Sequence, residues 1–269
     1  MTAVVVSTNF TLVVGYGDSN SPLIGYDNKV TESNIAATDS ASGYPVTNLG
    51  NVSTAEEWRA NSTGVKYLTC TMSGESVDYV GVAKHNFGSA GIAVSVETYD
   101  GSVWTEVCEA VFLPDDAPVI FRFDEDAPVG VRLKLAAGSS APRCAIMYVG
   151  LLLKLQRNLY VGHTPINLAS DPTVITGMSE EANFLGRVTT GRSAGTTIAL
   201  QNLTPGWYRT YMKPFLRAAE TTPFFFAWRP QGYPREVGFT WIAGKMPVPQ
   251  NQRPNGMMKI DLSLRGIIS

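Results

Sequence analysis

The run Ile92-Ala-Val-Ser-Val-Glu-Thr-Tyr-Asp-Gly-Ser-Val-Trp-Thr-Glu-Val107 decides the fold class. Ile92, Val94 and Val96 alternate with small or polar neighbours, which is the period of two of a strand with one covered face. Asp100-Gly101 then supplies residues that reach positive φ cheaply, as a tight hairpin turn requires. Val103 to Val107 reads as the returning strand.

Outward from this hairpin the same pattern continues. Val77 to Ala83, Val119 to Phe123 and Val129 to Leu135 are short apolar runs, the last alternating Val131, Leu133 and Leu135 with Arg132 and Lys134. Arg143 to Leu155 is mostly apolar, as a central strand covered on both sides would be. The chain has 25 Gly and 16 Pro, and they punctuate these runs at the spacing of a β-sandwich. The expected class is mainly β: an N-terminal jelly-roll sandwich and a C-terminal β-rich domain with one helix.

The composition changes near Gln156-Arg157-Asn158, which sets domains of residues 1–156 and 157–269. In the second, Asn183 to Thr190 and Thr196 to Leu200 read as a hairpin turning at Gly191-Arg-Ser-Ala-Gly195. Thr204-Pro205 is a helix start, with an N-cap residue and proline at the first helical position. Trp207, Tyr208, Tyr211, Met212, Phe215 and Leu216 recur at helical spacing, predicting a helix over 205–219. Pro214 removes a donor and crowds the preceding turn, so the helix is expected to kink or end near Lys213. Phe224 to Trp228, Gly238 to Ala243 and Met257 to Leu264 are strands, with an exposed loop or arm over Met246 to Gly256. Residues 1–42 carry strand-like pieces (Val4 to Val14) amid loop.

Charged residues make up 16% of the 269, and the formal net charge is −2. No basic stripe is present to neutralise phosphates, so nucleic acid is not an expected partner. No run approaches the length of a membrane-spanning helix, and the first twenty residues do not read as a signal peptide. Low charge leaves neutral surface suited to burial against other chains. Cys70, Cys108 and Cys144 have no metal-type spacing and read as small buried side chains.

Catalytic motifs are missing: G-x-S-x-G, the P-loop and G-x-G-x-x-G do not occur, so no enzyme activity is expected. His85 and His163, the only histidines, make no ligand set, and neither metal nor cofactor is expected. Asp115-Asp116 and Asp124-Glu125-Asp126 could be a glycosidase pair, but their proline-flanked context favours solvated turns. Trp58 and Arg59 are the candidate glycan contact, an aromatic face for a sugar ring beside a donor for its hydroxyls. The competing and preferred reading is a Trp in the sandwich core with Arg at its rim. Phe224, Phe226 and Trp228 are candidate interface residues. A strand apolar on both faces lies either in a doubly covered sheet or against another chain.

Gly43-Tyr-Pro-Val-Thr-Asn-Leu49, Glu57-Trp-Arg59, Tyr79 to Asn86 and Val96 to Trp104 together resemble the galactose-binding-like, or discoidin-like, jelly roll. That resemblance implies that His85-Asn86 closes a strand and bonds turn backbone. It also leaves Ca²⁺ binding by the acidic turns as a minor option. Asn183-Phe-Leu-Gly-Arg187, Trp207-Tyr-Arg209, Pro223 to Pro230, Tyr233-Pro234 and Met257 to Gly266 resemble tailed-bacteriophage tail-tip and baseplate proteins of the minor-tail or distal-tail kind. The implied function is a structural tail-tip component in the virion, made in the host cytoplasm. Its implied partners are copies of itself as trimer or hexamer, other tail proteins and host surface carbohydrate. The alternative is a carbohydrate-binding module of a cell-surface adhesion protein, with a glycan-degrading enzyme a distant third.

Overall fold

A computed structural model describes residues 4–7 and 20–267. In chain order the strands of the first domain are β1 (Val4–Val6), β2 (Leu23–Gly25), β3 (Ile35–Ala37), β4 (Trp58–Arg59), β5 (Lys66–Thr71) and β6 (Val77–His85). They continue as β7 (Ala93–Tyr99), β8 (Trp104–Phe112), β9 (Val119–Asp126), β10 (Gly130–Leu135), β11 (Arg143–Gly150) and β12 (Leu153–Lys154). Then come β13 (Ser170–Met178), β14 (Phe184–Leu203), a helix, β15 (Phe224–Ala227), β16 (Val237–Ile242), β17 (Gln250–Asn251) and β18 (Met258–Ile267). The expected strand pieces between residues 8 and 14 lie outside the described residues.

Two five-stranded sheets, ordered β1-β9-β6-β11-β4 and β3-β5-β10-β7-β8, form a sandwich. The hairpin at Asp100-Gly101 is present. Gly101 has φ +104°, and Asp100 Oδ1 accepts hydrogen bonds from the Ser102 and Val103 amides. The core between the sheets holds Trp58, Leu68, Val80, Val82, Phe87, Val94, Val96, Phe121, Leu133 and Met147. Cys70, Cys108 and Cys144 are buried free thiols in this core, where burial pushes the first two up to about 12.

The third sheet runs β12-β2-β15-β16-β18-β14-β13, with β17 paired to β18. β2, from the first domain's stretch of sequence, pairs with β15 through Gly25–Phe225, Ile24–Phe226 and Leu23–Ala227. The boundary near residue 156 is therefore crossed by an N-terminal strand. Strand alternation explains the layering. Phe225 and Ala227 point at the outer face of the sandwich, packing with Tyr79, Ile146, Tyr148 and Phe239. Phe224 and Phe226 point the other way, into a core with Ile198, Leu200, Met212, Phe215 and Leu262. The order of layers is thus sheet, sheet, sheet, helix.

Glycine lets the middle layers approach. A Cβ on Gly81 would lie 2.6 Å from Phe225 Cε2, and one on Gly25 would lie 2.8 Å from Tyr79 Cε2. Either substitution would force the two sheets apart.

The helical region begins at Pro205 and runs to Ala218 without a break: α1 (Pro205–Trp207), a π turn (Tyr208–Met212) and α2 (Lys213–Ala218). The expected kink or stop near Lys213 is replaced by this wider turn. Its i→i+5 pattern comes just ahead of Pro214, where an ordinary turn would crowd the proline ring.

A second expectation is corrected. Gly191 to Gly195 is no turn; β14 runs extended through it. The reversal lies at Ser179–Asn183, where Ala182 takes φ +61°. Ser179 Oγ accepts the Asn183 amide there. The strand opposite residues 184–194 is β13.

Candidate functional site

Trp58 is 0% exposed, and its indole Nε1 donates to the Asp39 carbonyl at 2.9 Å. Its ring has no face open to a sugar, so the glycan-contact reading of Trp58 is corrected to the core reading. Arg59 sits at the rim, bonding Glu57 at 2.6 Å and lying over the Tyr44 ring. Phe224 and Phe226 are core residues of a sheet covered on both faces, so they are not surface available to another chain. Trp228 is part-buried, stacked on Tyr233, and donates to Glu236.

His85 stacks on Phe87 and bonds backbone on both sides. Its Nε2 pairs with the Ala117 carbonyl at 3.0 Å, and Nδ1 accepts the Phe87 amide. Asn86 bonds the Arg143 amide and the Ala141 carbonyl. Asp115 bonds the Ala117 amide and pairs with Arg235 at 2.6 Å, tying the sandwich to the second domain. Asp116 accepts the Ser89 amide. Among the described residues no cluster of three His, Cys, Asp or Glu could hold a metal ion, and no helix is long and apolar enough to cross a membrane.

Two features were not foreseen. The first is a cleft at the seam of the domains, with a volume of about 440 Å³. Five separate segments line it: Tyr26-Asp27 after β2, Asp78 on β6, Arg122 to Glu125 on β9, Leu151 to Lys154, and Trp207 with Tyr211 of the helical region. Its frame is held by side chains bonded to backbone. Asp27 accepts the Leu151 amide and pairs with Lys29, and Asp78 accepts the Leu152 amide at 2.7 Å. Gly150 permits this, since a Cβ there would lie 2.4 Å from the Asp27 carbonyl oxygen. Gln156 and Thr204 exchange two hydrogen bonds that fix the helix start to the linker.

Burial pushes the Asp78 carboxyl up to about 7, while burial pulls the His85 imidazole down to about 4. These shifts predict opposing pH effects. Asp78 holds its proton more tightly folded than unfolded, so its contribution is lost as pH rises from about 4 through 7. His85 resists protonation when folded, so its contribution is lost as pH falls from about 6.5 through 4. Asp78 keeps some exposure, which reduces its effect below what the shift alone implies. Denaturant unfolding at pH 4.5 and 7 should therefore show a shallow profile in the parent chain. Asp78→Asn should make stability rise with pH, and His85→Gln should make it fall. Equal slopes in the two variants would refute this account.

The second feature is the arm formed by β13 and the first half of β14. Beyond Ala194, where β14 leaves β18, only these two strands pair. Nine residues of β13 reach about 30 Å at strand rise. All but Val174 are exposed. Ile175 faces Val188 and Met178 faces Phe184 across the ladder, and Phe184 and Leu185 are 67% and 69% exposed. A two-stranded ribbon with bare apolar pairs is marginal in water. The turn chemistry carried the signal that was missed: Ser179 and Asn183 bracket a reversal with no glycine.

No family model matches the sequence, and no curated protein matches it. Solved structures similar to somewhat under half of the chain include carbohydrate-binding modules and a Ruminococcus gnavus GH29 fucosidase. One is chitosan-binding module 1 from a chitosanase/glucanase of Paenibacillus sp. IK-5, with TM-score 0.41 and 13% identity, covering 45% of this chain and 97% of that one. Another is a pectin-binding carbohydrate-binding module, with TM-score 0.39 and 14% identity, covering 45% and 91%. A third is a Clostridium perfringens carbohydrate-binding module in complex with GalNAc-β-1,3-galactose, with TM-score 0.39 and 12% identity, covering 45% and 98%. None of these three is a tail protein, and likeness at this level assigns neither ligand nor site.

Proposed function

We propose that this protein is a non-catalytic assembly subunit whose β13–β14 arm docks on a neighbouring copy of the chain. The exposed apolar ladder of the arm carries this reading. A soluble monomer has no use for Phe184, Leu185, Ile175, Met178 and Val188 together on one thin ribbon. Charge supports a second copy as the occupant. The arm ends in exposed Glu180 and Glu181, while Arg209, Lys213 and Arg217 are exposed along the helix. Lys213 and Arg217 line an open groove with Pro214 and Ala218. An arm reaching from each copy to a different surface of the next is a heterologous contact, which closes into a ring or extends as a filament.

The resemblance of residues 183–266 to tail-tip and baseplate proteins makes a phage tail the proposed setting, with other tail proteins as further partners. The absence of chemistry is part of the proposal: Asp115 and Asp116 are engaged in turns and an ion pair, as structural charges are. Light scattering over a concentration series should show a defined oligomer; a monomer throughout would sink the reading.

A second reading, a carbohydrate-binding protein, is favoured by one observation, the seam cleft with its aromatic wall and carboxylates. It is compatible with the first, because the arm and the cleft use different residues.

A further inference from the structure

We infer that the seam cleft binds a pyranose unit, neutral or amino-substituted, and that uronates are excluded from it. This site rests on the carbohydrate-binding reading and is independent of the arm. A pyranose presents an apolar C–H face and a rim of hydroxyls, so it needs an aromatic wall beside polar acceptors. The cleft has both. Trp207 and Tyr211 stand with ring centroids 5.9 Å apart, and Tyr26, also in the lining, packs edge-on to Phe215 at 5.4 Å. Tyr211 is 38% exposed, which leaves ring surface for a ligand. Asp124 and Glu125, at the end of β9, are exposed and also line the cleft.

The volume of about 440 Å³ falls within the range of small-molecule sites, roughly 300–1,000 Å³. Asp27, Asp124 and Glu125 face two cations, Arg122 and Lys154, while the fourth carboxyl of the lining, Asp78, is kept largely protonated below about pH 7 by burial and adds little to the charge. The surplus of negative charge repels a uronate and favours an amine. Asp27 and Asp78 accept the Leu151 and Leu152 amides, and Glu125, exposed at the end of β9 in the cleft lining, is the group placed to meet the sugar. The walls come from both domains and are fixed by side chains bonded to backbone, which gives the preorganised frame that a binding site needs.

The test is an amide-resolved NMR titration of the intact, labelled chain with tetramers of glucosamine, N-acetylglucosamine and galacturonic acid. The first two should shift the amides of Leu151 to Lys154 and the Trp207 indole, saturably, while galacturonate binds at least ~10-fold more weakly. Tyr211→Ala should weaken both by about 10-fold through loss of the stacking surface. Glu125→Gln should weaken the glucosamine tetramer more than its N-acetyl form, and it guards against a folding defect in the first variant. Saturable shifts confined to other surfaces and indifferent to both variants would overturn the cleft while leaving carbohydrate binding intact. No saturable shift anywhere would overturn both. Galacturonate binding best at the cleft would overturn the charge argument and the inference with it.

Discussion

Replacing Phe225 by alanine should lower the unfolding free energy by about 3–5 kcal/mol, the range for emptying a large aromatic site in a packed core. Phe225 is fully buried and stands between the sandwich and the third sheet. It meets Tyr148 edge-on at 5.5 Å and Phe239 at 5.0 Å, and Gly81 lies directly under its ring. The cavity cannot close easily, because backbone on both sides is held in sheets. The loss falls on the layer that joins the domains, so calorimetry should resolve two transitions where the parent chain gives one. Val248→Ser, at a residue 78% exposed, should stay within about 0.5 kcal/mol. A single unchanged transition in Phe225→Ala would show that the domains are coupled elsewhere.

Introducing charge on the arm should abolish assembly without touching the fold. Phe184→Glu combined with Leu185→Glu places two carboxylates where the proposed interface buries apolar surface. Central aromatic and aliphatic contacts each carry on the order of 1–3 kcal/mol, so the pair should weaken association at least ~100-fold. Both residues point into solvent in the single chain, and the thermal midpoint of the monomer should move little. Glu180→Lys with Glu181→Lys should act more mildly and mainly at low salt, since exposed charges are screened. Sedimentation at matched concentrations would check both pairs. An oligomer that survives the Phe184 and Leu185 changes would move the interface away from the arm.

The parts legible in the sequence were those in which local chemistry and final structure agree. The Ile92–Val107 hairpin was readable because period-two burial and an Asp-Gly turn point to the same answer. The helix start at Thr204-Pro205 was readable for the same reason. The arm was misread because Gly191 and Gly195 look like a turn, yet both sit in extended backbone, while Ala182 takes the left-handed conformation usually left to glycine. Trp58 next to Arg59 has the residue types of a sugar platform, and only the burial of its ring decides against it. The cleft could not be read at all. Tyr26, Asp78, Glu125, Leu152 and Tyr211 share no spacing and meet only when a strand from the N-terminal stretch enters the far sheet.

That strand has a consequence for synthesis. Leu23, Ile24 and Gly25 leave the ribosome roughly two hundred residues before Phe225 to Ala227, to which they pair. The sandwich strands β5 to β11 find partners among themselves in the meantime. The nascent chain therefore carries a finished sandwich with one short strand still waiting beside Tyr79. The third sheet then has a docking edge ready when its aromatic strand emerges. Translation order, with the early segment held on the sandwich as a template, would steer β15 to the inner position and keep its Phe-rich edge from pairing between chains on a crowded polysome.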